Sequence, residues 1–429
     1  MAEPGDRVKI TAAKEAVEGT LMPTEDSDSI FVKLKNGYNI GIDKKSIKKI
    51  DILEKAEKPA KKEKEQKNNQ KNPKLPAISI LHTGGTIASK VDYATGGVVA
   101  AFSAEEIISM FPELTKIANI KSSLVSNMMS EDIRFSHYKM IAEAVIKEVK
   151  EGAEGIIIGH GTDTLAVTSA ALSFMLEDIP IPVILVGAQR SSDRPSTDAL
   201  MNLVCAAEFI AKTDFSGVAI CMHKSMTDDI CAVFPAAKTR KLHTSRRDAF
   251  KAVNDTEIAE IDYKTRKISF LKKDYMKKDS RRKINAKLNF EDKVAIIKTY
   301  PNMLPDLIDA LREKKYKGFV LEGTGIGQAP TNIKENIPNY DALKKFIDDG
   351  GIVVLTSQCI FGIVHDKIYK NCRRLADIGV IFGKDMLTET AFVKLAWLLG
   401  NYKKDEVKRL IVKDLRGEIS ERTDVRSCV

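Results

Sequence analysis

The chain has no apolar run of the roughly 18 to 20 residues needed to cross a bilayer. Its first residues, MAEPGDRVKI, lack the basic-then-apolar order of a secretory signal. Both absences point to a cytoplasmic protein that makes no use of a membrane. Six cysteines in 429 residues, with no CxxC pair, exclude a disulfide-stapled scaffold and read as buried thiols in a reducing compartment. The histidines at 82, 137, 160, 223, 243 and 365 are too scattered to suggest a metal cluster. No GxSxG, HExxH, P-loop or zinc-knuckle spacing occurs, so serine hydrolase, metalloprotease and ATPase readings lack support.

What is present is the balance of a soluble globular protein, 43% hydrophobic and 30% charged, long enough for two or three domains. A net charge of +9 permits attraction to an anion such as RNA but fits a basic soluble enzyme equally well. Residues 1–53 show short alternating runs, with Asn36 and Gly37 as a hairpin signal, and read as a small all-β, barrel-like module. Residues 54–76 carry eight lysines and four glutamates with almost nothing apolar; burial cannot offset their ordering entropy, so they read as a solvated tether.

From residue 77 the pattern changes to strand-length apolar runs at 77–81, 155–158, 183–186 and 218–221, with helical stretches at 137–150 and 165–176 between them. Such alternation argues for an α/β domain with a largely parallel sheet, here 77–273, whose functional residues should sit where loops leave the strand C-termini. The basic run KKDYMKKDSRRK belongs to an interdomain connection, 274–291, and the α/β pattern restarts over 292–429.

Two motifs end strands of the first α/β domain. Thr83-Gly84-Gly85-Thr86 could offer amides to an oxyanion and a hydroxyl as nucleophile, or simply be a turn whose threonines bond the backbone. His160-Gly161-Thr162-Asp163-Thr164 brings hydroxyls and a carboxylate to the same sheet edge, although Asp163 or Thr164 could equally be a helix N-cap. Lys251, in DAFKAVN, could complete a Thr, Lys, Asp relay with Thr162 and Asp163, the amine taking the hydroxyl proton; otherwise it is a solvated surface lysine. Residues 323–327, GTGIG, lack GxGxxG spacing and read as a loop of the second domain.

Taken together, TGGTIA (83–88) and HGTDT (160–164) resemble the two signature motifs of the bacterial-type L-asparaginase family, over residues 77–425. The resemblance implies a two-domain asparaginase-like α/β fold and amide hydrolysis through a threonine acyl-enzyme. It gives Thr86 as primary nucleophile, Tyr93 as its activating partner and Gly85 in support. It gives Thr162, Asp163 and Lys251 as the second catalytic group, with Thr162 and Asp163 also touching the substrate amino acid. Which threonine attacks first stays open, as does Gln against Asn preference. The segment SNMMSED (126–132) departs from the family pattern at a substrate-carboxylate contact, so Ser126 and Asn127 receive no role.

Residues 1–76 exceed what hydrolysis of a free amino acid requires. They are similar to the front extension of one branch of the family, the D subunits of archaeal glutamyl-tRNA(Gln) amidotransferases. That similarity implies an ammonia-generating protein working with an E-like kinase/transamidase partner, which uses ATP and Mg to convert Glu-tRNA(Gln) to Gln-tRNA(Gln). It implies no cofactor or metal on this chain, a homodimer core, and two copies of each subunit. The alternatives are a free-standing asparaginase or glutaminase with an accessory domain, and a binding protein on a degenerate hydrolase fold.

Overall fold

The computed structural model describes residues 2, 6–12, 16–22, 28–34, 39–55, 72–84, 89–91, 98–100, 112–190 and 197–422. Asn36 and Gly37, the lysine-rich segment 56–71, the residues Gly85, Thr86 and Tyr93, and Cys428 lie outside the described residues. Among the described residues no helix is long and apolar enough to cross a membrane.

The front of the chain forms one antiparallel sheet in the order Asn39–Asp43, Ser29–Lys33, Ala16–Met22, Arg7–Ala12, Ile47–Glu54. Val32 stands opposite Ile40 and Ile30 opposite Ile42, so the two runs flanking Asn36 and Gly37 pair as hairpin strands. Alternation at period two sends Val8, Ile10, Val17, Leu21, Val32 and Ile42 into a small core of their own.

The large sheet has eight strands, ordered Ile268–Phe270, Ala259–Asp262, Ile230–Pro235, Gly217–His223, Pro182–Val186, Gly155–Gly159, Ala77–His82 and Asn119–Leu124. The last five are parallel to one another; the first three extend the sheet antiparallel. The central parallel strands are apolar on both faces because helices cover both. Ile78, Ile80, Ile157 and Ile184 face the helix Ala199–Lys212, and Leu81, Ile156, Ile158 and Leu185 face the helices Phe135–Lys150 and Leu165–Met175. Cys205, Cys221 and Cys231 are buried in the first of these layers, whereas Cys359 is exposed.

The second sheet is wholly parallel, Val294–Lys298, Gly318–Gly323, Ile352–Ser357, Ile381–Phe382. Its helix Thr388–Asn401 packs against Leu165–Met175 of the large lobe, with the Phe174 and Trp397 rings stacked at 5.6 Å, so one apolar core runs through both lobes. The basic connection between the sheets is pinned rather than loose. Ser216 N donates to Met276 O at 2.7 Å, Lys278 N to Asp214 O at 2.6 Å, and Lys272 pairs with Asp255 at 2.5 Å. The GTGIG loop closes on its own sheet, Thr324 N donating to Gln328 O at 2.8 Å.

Candidate active site

Two neighbouring parallel strands, Ala77–His82 and Gly155–Gly159, end side by side and release the two motifs at one edge. Thr83 stitches them together: its N–H and its hydroxyl both donate to Gly159 O, each at 3.0 Å. That hydroxyl is committed to holding the strand ends. Gly84 follows at φ +100°, and a Cβ there would stand 2.4 Å from Met128 O. Only glycine fits both the left-handed backbone and the close approach. Met128 N donates to Thr83 O at 3.2 Å and Ser126 Oγ to the same oxygen at 3.3 Å, so the SNMMSED segment is seated on this turn.

Behind the second motif, His160 is fully buried, its Nδ1 2.7 Å from Gly161 O and its Nε2 2.9 Å from Thr168 Oγ1. A carbonyl can only accept, so Nδ1 carries the proton and Nε2 accepts from Thr168. Burial holds this imidazole down at about 4, and burial likewise pushes the Tyr138 hydroxyl, bonded to Thr168, up to about 12. A neutral network therefore braces the turn. His82, at the end of the first strand, is also held down at about 4 by burial, with Nε2 2.9 Å from Ser122 Oγ.

Glycines again set the close approaches around Thr162. A Cβ on Gly161 would lie 2.8 Å from Ser130 Cβ, and one on Gly187 2.8 Å from Thr162 Cγ2. Thr164 precedes the helix Leu165–Met175 but makes no side-chain cap; its hydroxyl donates to Ser130 O at 2.7 Å. The motif's last threonine thus ties the turn to the neighbouring loop rather than satisfying helix amides. Gly187 is held from the other side, its carbonyl accepting from Asn202 Nδ2 at 3.1 Å. The Asn202 Oδ1 continues through His223 to Asp228, which pairs with Arg247 at 2.7 Å.

The amine at this site is Lys241. Its Nζ lies 2.8 Å from Thr162 Oγ1 and 2.7 Å from Asp163 Oδ1, on a side chain only 12% exposed, whereas Asp163 is 68% exposed and reaches solvent. Thr162 and Asp163 are brought together as the sequence suggests, but Lys251 is not the third member. Strands Thr239–Lys241 and Phe250–Ala252 pair antiparallel with Lys241 opposite Phe250 and Arg240 opposite Lys251. Directly opposed residues share a face and neighbours alternate, so Lys251 points away from Lys241. Its ammonium donates to Lys224 O at 3.2 Å and lies 3.8 Å from Asp248. The sequence signal for Lys241 was the short TRK strand itself: its parity selects the lysine, and that parity depends on a pairing register set by the turn between the strands. Among the described residues no group of three or more His, Cys, Asp or Glu side chains could hold a metal.

Comparison with known proteins covers most of the chain. The "Asparaginase, N-terminal" family model matches residues 77–275, the "Glutaminase/Asparaginase C-terminal domain" model residues 293–411, and the "GatD N-terminal domain" model residues 2–53. The chain is 45% identical over 426 residues to the D subunit of glutamyl-tRNA(Gln) amidotransferase from Pyrococcus furiosus, spanning 97% of this chain and 95% of that one. It is 46% identical over 420 residues to the corresponding protein of Methanococcus maripaludis, spanning 97% and 98%. Among solved structures it is similar to the thermostable L-asparaginase from Thermococcus kodakarensis, with a TM-score of 0.72 and 29% identity over 81% of this chain and 100% of that one. L-asparaginase I from Vibrio cholerae gives a TM-score of 0.70 and 28% identity over 81% and 99%.

Proposed function

Because the chain belongs to the D-subunit family of glutamyl-tRNA(Gln) amidotransferases, we propose that it opens the side-chain amide of glutamine or asparagine through a threonine ester and hands the ammonia to a partner protein. It is the asparaginase-like subunit of a tRNA-dependent amidotransferase, built on an asparaginase-type catalytic body. The observation that carries the chemistry is the Lys241 amine within hydrogen-bond distance of both Thr162 and Asp163.

An amide is a poor electrophile, so the attacking hydroxyl must lose its proton as it attacks and the nitrogen must leave protonated. Attack forms a C–O bond and breaks the C–N bond; water then cleaves the ester, releasing the free acid and restoring the hydroxyl. Lys241 takes the Thr162 proton while Asp163 orients the amine. The proton passes on to the departing ammonia. Thr86 as primary nucleophile, supported by Gly85 and Tyr93, rests on the TGGTIA resemblance, with Thr162, Lys241 and Asp163 as the second group; the order in which the two threonines attack is open. The carboxylate of Asp163, open to solvent, can also bind the substrate α-ammonium by charge-assisted bonds.

The partner is an E-like kinase/transamidase protein that binds ATP and Mg and acts on tRNA(Gln), in a cytoplasmic complex with a homodimer core and two copies of each subunit. Co-purification with that partner, followed by an assay with Glu-tRNA(Gln) and ATP, tests the reading. Gln-tRNA(Gln) formation and a rise in amide hydrolysis over the isolated chain are expected. Full hydrolysis without the partner and no rise with it would instead mark a free-standing asparaginase or glutaminase. Catalysis undiminished in both Thr86→Ala and Thr162→Ala would remove the threonine route altogether.

A further inference from the structure

The ribbon carrying Lys241 belongs to the large lobe, yet its base is fastened to the small one. Lys238, immediately before the ribbon, makes an ion pair with Asp385 of the small lobe, with side chains 0% and 1% exposed. The same Asp385 carboxylate accepts from Ser420 N at 3.0 Å. On the far strand, Asn254 follows the ribbon at φ +52°; its Nδ2 donates to Asp385 O and Gly362 O, both at 3.2 Å, and its Oδ1 accepts from Gly362 N at 2.9 Å. Two further ties lie alongside, Arg240 to Glu389 at 3.0 Å and Thr390 Oγ1 to Ala237 O at 2.9 Å. Val253 N donates to Lys238 O at 2.7 Å and closes the base of the ribbon.

We propose that Asp385 of the small lobe is a positioning residue for Lys241, acting through Lys238 and the ribbon to set the distance between the Lys241 amine and Thr162. A buried ion pair satisfied on several sides is a stiff joint, because moving either partner leaves a charge uncompensated. Lys238 and Lys241 are three residues apart on one short strand and its lead-in, so displacement of the small lobe is transmitted to the amine with little slack. The small lobe thereby becomes the handle by which a contact made elsewhere on the molecule alters amide hydrolysis. The inference rests on the proposed role of Lys241.

The test is steady-state hydrolysis of glutamine and asparagine by the full chain, with kcat referred to folded protein and thermal melting measured in parallel. Asp385→Asn is expected to lower kcat by about tenfold or more while KM changes little, since misplacement near 1 Å is costly to proton transfer. Glu389→Gln removes a partly exposed tie, so the fold survives; kcat should fall severalfold at unchanged melting temperature. Unchanged kcat per folded chain in Asp385→Asn overturns the proposal, showing a clamp for stability alone. If Asp385→Asn does not fold, unchanged kcat in Glu389→Gln and Arg240→Gln overturns it. Lys241→Met separates the two ideas: loss of hydrolysis there with full activity in Asp385→Asn sinks only the positioning role, while retained hydrolysis in Lys241→Met sinks the catalytic reading beneath it.

Discussion

Replacing Lys241 with methionine keeps the length and the apolar stem but removes the amine proposed to accept the Thr162 proton. Lys241→Met is therefore expected to lower kcat for glutamine hydrolysis by about 10² to 10⁴-fold, while Lys251→Met, on the opposite face, leaves it unchanged; steady-state kinetics on both variants decides between them. His160 supplies a pH signature. Its folded value, about 4, lies below the ordinary 6.5, so the unfolded chain binds the extra proton between those values. The stability it contributes is complete above 6.5 and is lost as pH falls toward 4, by roughly 3 kcal/mol. Urea unfolding at pH 7 and pH 4.5 should show that slope, and His160→Gln with an undiminished slope would refute the assignment. At this scale Thr162 and Asp163 were legible because one strand end delivers both within two positions. The lysine was not, since two candidates lie ten residues apart in one basic stretch and only their cross-strand pairing distinguishes them.

Among the structural elements, the strand-end turns are the most demanding. At Gly84 a side chain would need a left-handed backbone and would strike Met128 O, so Gly84→Ala should cost at least about 1 to 3 kcal/mol, measured as a fall in melting temperature. Gly187→Ala differs in kind, because the added methyl meets the Thr162 Cγ2 methyl. The same methyl would stand 3.0 Å from Leu165 Cδ1 and 3.2 Å from His160 O, so some stability is lost too, but the expected fall in kcat, about tenfold or more per folded chain, exceeds it because the displaced side chain is the threonine proposed to react. Equal losses in both measurements would show that Gly187 serves folding alone. The parallel strands and long helices were readable from continuous apolar runs and helical spacing. The antiparallel extension was not: Ile230–Pro235 turns straight back on the preceding strand Gly217–His223 instead of leading into a helix, and Ala259–Asp262 is only four residues of alternating burial.

For the whole molecule, the separate core of the front sheet and the catalytic body behind it predict divisible roles. Deleting residues 1–76 should spare amide hydrolysis by the remaining chain yet abolish or weaken partner-dependent transamidation, assayed side by side; no loss of either would remove the module from assembly. The change from β alternation to a lysine-rich segment to α/β alternation made this division visible in composition. The apolar continuity between the two α/β lobes was invisible there, because Phe174 and Trp397, which stack across it, lie far apart in sequence.

The Lys241 ribbon also bears on how such a chain tolerates insertion. Its period of two means that one residue added before Arg240 would slip the strand and bring Arg240 to the place of Lys241. The charge facing Thr162 would be unchanged, but a guanidinium does not give up its proton in a protein. An insertion that leaves every residue type and the net charge intact would silence the site, whereas the same residue added in the turn after Lys241 would leave the parity of the strand, and the amine, in place.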